Sequence, residues 1–316
     1  MSHATTIERS IGAGIDVLDD VRHGEREREI TIRSEAMCGA ASFRLITPPG
    51  YSTSSPRRWP VLMLLHGADD GPSCWTRETA LVERCRELDA LVVMPDAGRI
   101  GFYTDWERPD ATGATPRWEG FHLDELPAVL ETGYRASDTR VVAGVSMGGY
   151  GAIAYAAKRP GMFAAAASYS GLLHTTRRGM PGFVATMLRR EHHARHALWG
   201  SPRRDRARWL ANDPHHLAHR LRGTALYLSR ADGSGEPADD LPRGAGLLER
   251  WVAPTTDSLA ARLADLEIPA TISRGRGGHD WATWRRELDR SWPFLLDGLG
   301  CAPQSRGVSA PATRRD

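Results

Sequence analysis

Apolar and polar residues alternate over Arg28 to Glu35 (REITIRSE) and less cleanly over Ala41 to Ile46, which predicts an antiparallel pair at a sheet edge. Pro48-Pro49-Gly50 ends the second strand. The pattern then changes. Pro60 to Leu65 (PVLMLL) is a continuous apolar run, as expected for a parallel strand covered on both faces. Further strands are predicted at Leu91 to Met94, at the run before Ser146, at Met162 to Ser168, at Thr224 to Ser229 and at Ile268 to Ser273. Between them lie helical stretches: Trp75 to Leu88, Phe121 to Tyr134, the Ala-rich segment after Ser146, Gly246 to Leu266 and Trp281 to Leu296. Pro254 is expected to divide the fourth of these.

Strands alternating with helices imply an α/β domain with a mostly parallel central sheet and helices on both faces, here over residues 26–300. His174 to Arg222 breaks the rhythm and reads as an inserted helical cap (about 174–222). Residues 1–25 are polar and aperiodic, a flexible lead-in, and the Pro/Ser/Ala/Arg-rich tail (301–316) is expected to be disordered.

One stretch carries the chemistry. Arg140 to Ala157 (RVVAGVSMGGYGAIAYAA) reads strand, tight turn, helix, with Ser146 in the turn. Such an elbow lifts a hydroxyl clear of the sheet, and its glycines remove Cβ atoms that would collide there. A serine hydroxyl needs a base within hydrogen-bond reach. His279, in the glycine-flanked loop after the last predicted strand, is the candidate. A carboxylate must then orient the imidazole, and either Asp232, directly after TALYLS, or Glu249 stands between serine and histidine in the chain. Spacing does not choose between them. Two backbone N–H groups must meet the developing oxyanion, and Met147 and Ala68 occupy the expected positions. The loop from Gly101 to Glu119 carries Phe102, Tyr103, Trp106 and Trp118, an aromatic density that suggests either a site wall or partial burial in the core.

Composition narrows the alternatives. A net charge of +2 gives no strong field for nucleic acid or a membrane surface. The cysteines Cys38, Cys74, Cys85 and Cys301 show no CxxC or disulfide spacing, which fits reduced thiols in a cytoplasmic protein. The sequence shows neither a secretory signal nor an apolar run near the ~18 residues that a membrane span needs. Glu191-His192-His193 is not the HExxH order of a zinc helix, so no metal and no cofactor is expected.

At this point the chain resembles the putative-esterase family of α/β hydrolases, which spans esterase D (S-formylglutathione hydrolase) and the mycobacterial mycolyltransferases. The matching pieces are LLHG at 64–67, FYTDW at 102–106, RWEGFHLDELP at 117–127, GVSMGGYGA at 144–152, LWGSP at 198–202, NDP at 212–214, LLERWV at 247–252 and GGHDW at 277–281. They run in family order from about Ile30 to Leu296 and look closest to the actinobacterial, mycolyltransferase-like branch. The resemblance implies an α/β-hydrolase fold, places the triad acid at Glu249 and the second oxyanion donor at Ala68, and sets Trp281 beside the acyl or acceptor site. Where the mycolyltransferases present an aspartate and an arginine to their sugar acceptor, this chain has His66 and Asp69. With Trp106, these complete the candidate substrate-binding residues.

The expected function is a serine-dependent carboxylic-ester hydrolase working through an acyl-enzyme on a small-molecule ester. The alternative is an acyltransferase delivering the acyl group to a sugar or other alcohol, and the remote one is a catalytically silent binding module.

Overall fold

The computed structural model describes residues 9–11, 15–234 and 244–301. The ten strands β1 (Arg9–Ile11), β2 (Ile15–Arg22), β3 (Glu27–Ser34), β4 (Gly39–Ile46), β5 (Trp59–Leu65), β6 (Leu91–Pro95), β7 (Ala136–Val145), β8 (Ala165–Tyr169), β9 (Ala225–Ala231) and β10 (Thr271–Gly275) form one sheet, in the order β1-β2-β3-β4-β6-β5-β7-β8-β9-β10. Pairing is antiparallel from β1 through β4 to β6 and parallel from β6 to β10. This is the mostly parallel α/β-hydrolase sheet.

The apolar run of β5 shows why the sheet is covered on both sides. Val61, Met63 and Leu65 belong to one hydrophobic cluster, while Leu62 and Leu64 belong to the other. Successive side chains leave a strand on opposite faces, so a run without polar residues can satisfy only a sheet with an apolar layer above and below. The elbow helix (Met147–Lys158) is buried from Met147 to Ala157, which explains its small residues. Gly151, for example, lies so close to Tyr103 that a Cβ there would sit 2.6 Å from the ring carbon Cγ.

Several elements differ from the sequence pattern, each for a physical reason. The lead-in expected over residues 1–25 contains β2, which pairs with β3. A register shift between Val17 and Asp19 breaks the period of two there, so the segment reads as aperiodic. Residues 1–8 and 12–14 of that lead-in and the tail beyond Cys301 lie outside the described residues. The strand pair β3–β4 is consequently interior, not at the edge. The helix predicted over Trp75 to Leu88 is two short helices, Cys74–Glu78 and Leu81–Arg84.

Pro254 does not divide its helix, which runs from Ala245 to Asp265. A helix-interior proline costs about 3 kcal/mol, and burial on both sides of it offsets this: Glu249, Val252, Thr255, Thr256, Leu259 and Leu263 are all inward-facing. The cap between β8 and β9 comprises Met180–Arg190, Arg206–Ala211 and Pro214–Leu217. No helix among the described residues is long and apolar enough to cross a membrane.

The aromatic loop is chiefly core. Phe102, Tyr103 and Trp106 are buried, and the Tyr103 hydroxyl donates to the His66 carbonyl at 2.9 Å. Next to it, His122 sits in a π-helical turn (Phe121–Glu125), fully buried. Its Nε2–H donates to the Asp96 carbonyl at 2.8 Å, so Nδ1 accepts from the Tyr155 hydroxyl at 2.7 Å. Burial disfavours the imidazolium and pushes the pKa down from 6.5 to about 4.

The sign of the linkage follows. Above the unfolded value near 6.5 the ring is neutral in both states, and below it the unfolded chain takes up a proton that the folded chain refuses. His122 therefore removes roughly 3 kcal/mol of stability as pH falls from about 6.5 to about 4. His122→Gln is expected to be less stable at neutral pH but to lose less between pH 7 and pH 4.5 in urea unfolding. Equal pH slopes for the two proteins would exclude this account.

Candidate active site

Ser146 stands between the end of β7 and the first turn of the elbow helix, at φ 53° and ψ −116°. That backbone region is costly for a residue with a Cβ and persists only where the surroundings impose it. Here they do. The Ser146 N–H donates to the Tyr169 carbonyl of β8 at 2.8 Å. A Cβ on Gly144 would lie 2.2 Å from the Gly148 carbonyl oxygen, and one on Gly148 would lie 2.3 Å from that of Leu65. The two glycines let strand, turn and helix close up around the serine.

His279 reaches Ser146 from a loop after β10. Its Nε2 lies 2.7 Å from Ser146 Oγ and its Nδ1 lies 2.7 Å from Glu249 Oε2. The Glu249 carboxylate accepts at Oε2, so Nδ1 carries the proton and Nε2 is left to accept from the hydroxyl. Glu249 itself is fully buried. Its other oxygen, Oε1, accepts from the Ser170 hydroxyl at 2.9 Å and from the Ala231 N–H at 2.8 Å. Three donors thus stand in for the water that a buried carboxylate loses.

Asp232, the other sequence candidate, plays a different part. Its Oδ1 accepts from the Ser234 N–H and hydroxyl and, at 3.3 Å, from the Gly277 N–H. The Ser234 contacts, with that backbone donor, hold its carboxyl below the usual range. It braces the loop that carries His279 and forms no hydrogen bond with the imidazole.

The loop after β5 closes the other side. A Cβ on Gly67 would lie 3.5 Å from Ser146 Cβ, so this loop rests against the serine. The Ala68 N–H has no protein acceptor among the described residues, and the Met147 N–H, opening a helix, has no intrahelical one. Both residues line the cleft beside Ser146.

Of the four expected substrate contacts, Asp69 and Trp281 line the cleft, whereas His66 and Trp106 do not. His66 is 1% exposed. Its Nδ1–H donates to the Gly67 carbonyl at 2.7 Å and its Nε2 accepts from the Ala97 N–H at 2.9 Å. The ring is therefore a brace beneath the loop. Trp106 is buried, donating to the Gly101 carbonyl at 3.0 Å, with its ring edge against His193. A large ring in a loop found its place in the core because its one polar atom met a backbone acceptor there.

The cleft measures about 250 Å³ and opens onto Ser146 and His279. Its walls include Ser170, Leu172 and Val252, together with Phe183 and Met187 of the cap helix. Sequence reasoning did not single these out. Ser170-Gly171 does follow a predicted strand at its carboxyl end, where α/β sheets place ligands, and that signal could have found Ser170. Among the described residues no cluster of three or more His, Cys, Asp or Glu side chains is placed to hold a metal ion.

An elbow serine hydrogen-bonded to a late histidine, itself on a buried glutamate, at the carboxyl ends of a mostly parallel sheet, defines an α/β hydrolase with a serine–histidine–carboxylate site. The chain belongs to the family described as Putative esterase, whose model matches residues 34–295. It is 30% identical over 322 residues to the esterase Rv1288 of Mycobacterium tuberculosis, an alignment covering 98% of this chain and 66% of that protein. The chain thus spans just under two thirds of that relative's length. It is also 30% identical over 257 residues to the diacylglycerol acyltransferase/mycolyltransferase Ag85B of Mycolicibacterium smegmatis, covering 76% of this chain and 77% of that one. Among solved structures, M. tuberculosis MPT51 shares the fold with a TM-score of 0.69 at 20% identity, over 85% of this chain and 97% of that one. An S-formylglutathione hydrolase from Agrobacterium tumefaciens does so at 0.65 and 18%, over 90% and 99%.

The crowding at the elbow yields a stability prediction. Gly148→Ala places a methyl against the Leu65 carbonyl and is expected to cost about 1–3 kcal/mol or more. An unchanged denaturant midpoint would contradict this geometry.

Proposed function

We propose that the protein is a serine-dependent carboxylic-ester hydrolase that works through an acyl-enzyme. The observation carrying this reading is the unbroken chain Ser146 Oγ to His279 Nε2 to Glu249 Oε2, with both links at 2.7 Å. In the first half-reaction Ser146 Oγ attacks the ester carbonyl carbon as its proton passes to His279 Nε2. The tetrahedral oxyanion is met by the Ala68 and Met147 N–H groups, and Glu249 stabilises the imidazolium. The carbon–oxygen bond to the alcohol then breaks, and the departing alcohol takes the proton from His279.

In the second half a water gives its proton to His279 and its oxygen to the acyl carbon. The Ser146 ester bond breaks, the proton returns to Oγ and the acid leaves. Small-molecule acyl esters are the substrates on this reading, with Asp69 and Trp281 among the residues they touch. Membership of a family described as esterases supports it, as does the similarity to a relative named an esterase.

The similarity to a mycolyltransferase favours a second reading, in which an alcohol replaces water in the second half. The two share every residue of the machinery and differ only in what resolves the acyl-enzyme. With an activated ester and increasing concentrations of candidate sugars or alcohols, formation of a new ester at the expense of free acid marks a transferase. Free acid alone marks a hydrolase.

The triad assignment makes its own prediction. Ser146→Ala is expected to lower kcat by on the order of 10⁴–10⁶ with the fold retained. Glu249→Gln, which removes the charge that orients the imidazole, should cost on the order of 10⁴. Asp232→Asn should cost far less. Fluorophosphonate labelling of the wild type and not of Ser146→Ala checks the nucleophile directly. A kcat retained in Ser146→Ala, or an Asp232→Asn loss equal to that of Glu249→Gln, would overturn the assignment.

A further inference from the structure

The cap helix Met180–Arg190 carries two apolar stripes, and both pack on the main hydrophobic core. Met180, Val184 and Leu188, spaced four apart, are buried to 0%, 1% and 1% exposure and join the main core. Phe183 and Met187, also four apart, form the neighbouring stripe. They are only half-buried, and they line the cleft with Ser146, His279, Leu172, Leu248 and Val252. The first stripe is wholly interior, and the second also forms part of the wall of the site.

At its carboxyl end the helix meets the loop after β5 through exposed ion pairs. Arg99 donates from Nε to Glu191 at 2.7 Å and from Nη2 to Asp69 at 2.9 Å, and Arg190 reaches the other Asp69 oxygen at 3.5 Å. These contacts join the cap to the loop that carries the Ala68 N–H. The cleft measures about 250 Å³, so the bulk of Phe183 and Met187 takes up space that an acyl chain on Ser146 would otherwise use.

We propose that Phe183 and Met187 limit the length of the acyl chain this protein accepts, so that its substrates are esters of short to medium-length apolar acids. The proposal rests on the ester-hydrolase reading and names its substrate class. Asp69, Asp70 and Arg190 also line the cleft, whereas Phe183, Met187, Leu172, Leu248 and Val252 give it an apolar wall that suits an alkyl chain, because a polar acyl group would leave its hydrogen bonds unmade against them.

The test uses the full chain and two independent measurements. The first is kcat/KM over p-nitrophenyl esters from acetyl to hexadecanoyl, for wild type, Phe183→Ala, Met187→Ala, the double variant and Phe183→Trp. Wild type is expected to favour the shorter esters and to fall off toward hexadecanoyl. The double variant should raise the dodecanoyl-to-butanoyl ratio of kcat/KM by roughly tenfold or more, and Phe183→Trp should shift the preference to shorter chains. Because Phe183 and Met187 also pack on the core, the alanine variants should lower the denaturant midpoint yet keep one cooperative transition.

The second measurement is the binding of n-alkanoic acids to the Ser146→Ala protein, followed by the fluorescence of Trp281 and Trp284, which also line the cleft. Affinity should level off with chain length, and the plateau should move to longer acids when Phe183→Ala and Met187→Ala are added. A length profile that these substitutions leave unchanged in either measurement overturns the proposal. Should no ester be turned over and no fluorophosphonate bind, the hydrolase reading fails by itself, and the alkanoic-acid series still decides whether Phe183 and Met187 limit the pocket.

Discussion

A carboxylate with no exposed surface is the constraint around which the site is arranged. Glu249 lies within a helix, in the interior, where an unpaired charge would be costly. Its three donors come from three separate places: Ser170 after β8, Ala231 at the end of β9 and His279 after β10. Satisfying one side chain therefore requires neighbouring parallel strands to be in register and the helix to lie across their ends. The fold and the chemistry make the same demand, and neither can relax without the other.

The parts of this arrangement visible in the sequence are those governed by short-range rules. The β5 run, the glycines at 144 and 148 and the late histidine loop each carry a local requirement: two covered faces, no Cβ, or room for a turn. The ends of the sheet were harder to read. In β2 the register shift removes the alternation that marks a strand, and in the helix around Pro254 tertiary burial outweighs a local breaker.

Side-chain direction was the least legible feature. His66 and Trp106 sit in the segments expected near substrate, yet each turns inward, because a backbone partner in the interior satisfies its ring nitrogen. Nothing in the spacing of a loop residue states which way it faces. Conversely, Phe183 and Met187 lie in a cap rich in arginine and histidine, and their place on the cleft follows only from how that helix packs. Glu249 and Asp232 were indistinguishable by spacing, and both turned out to serve the same loop, one through the imidazole and one through the Gly277 amide.

The brace beneath the Gly67–Ala68 loop shows where that loop takes its direction from. One nitrogen of His66 is held by the Gly67 carbonyl and the other by the Ala97 amide, so the peptide that carries the Ala68 N–H is oriented by a ring buried in the protein itself. Its direction is a product of folding.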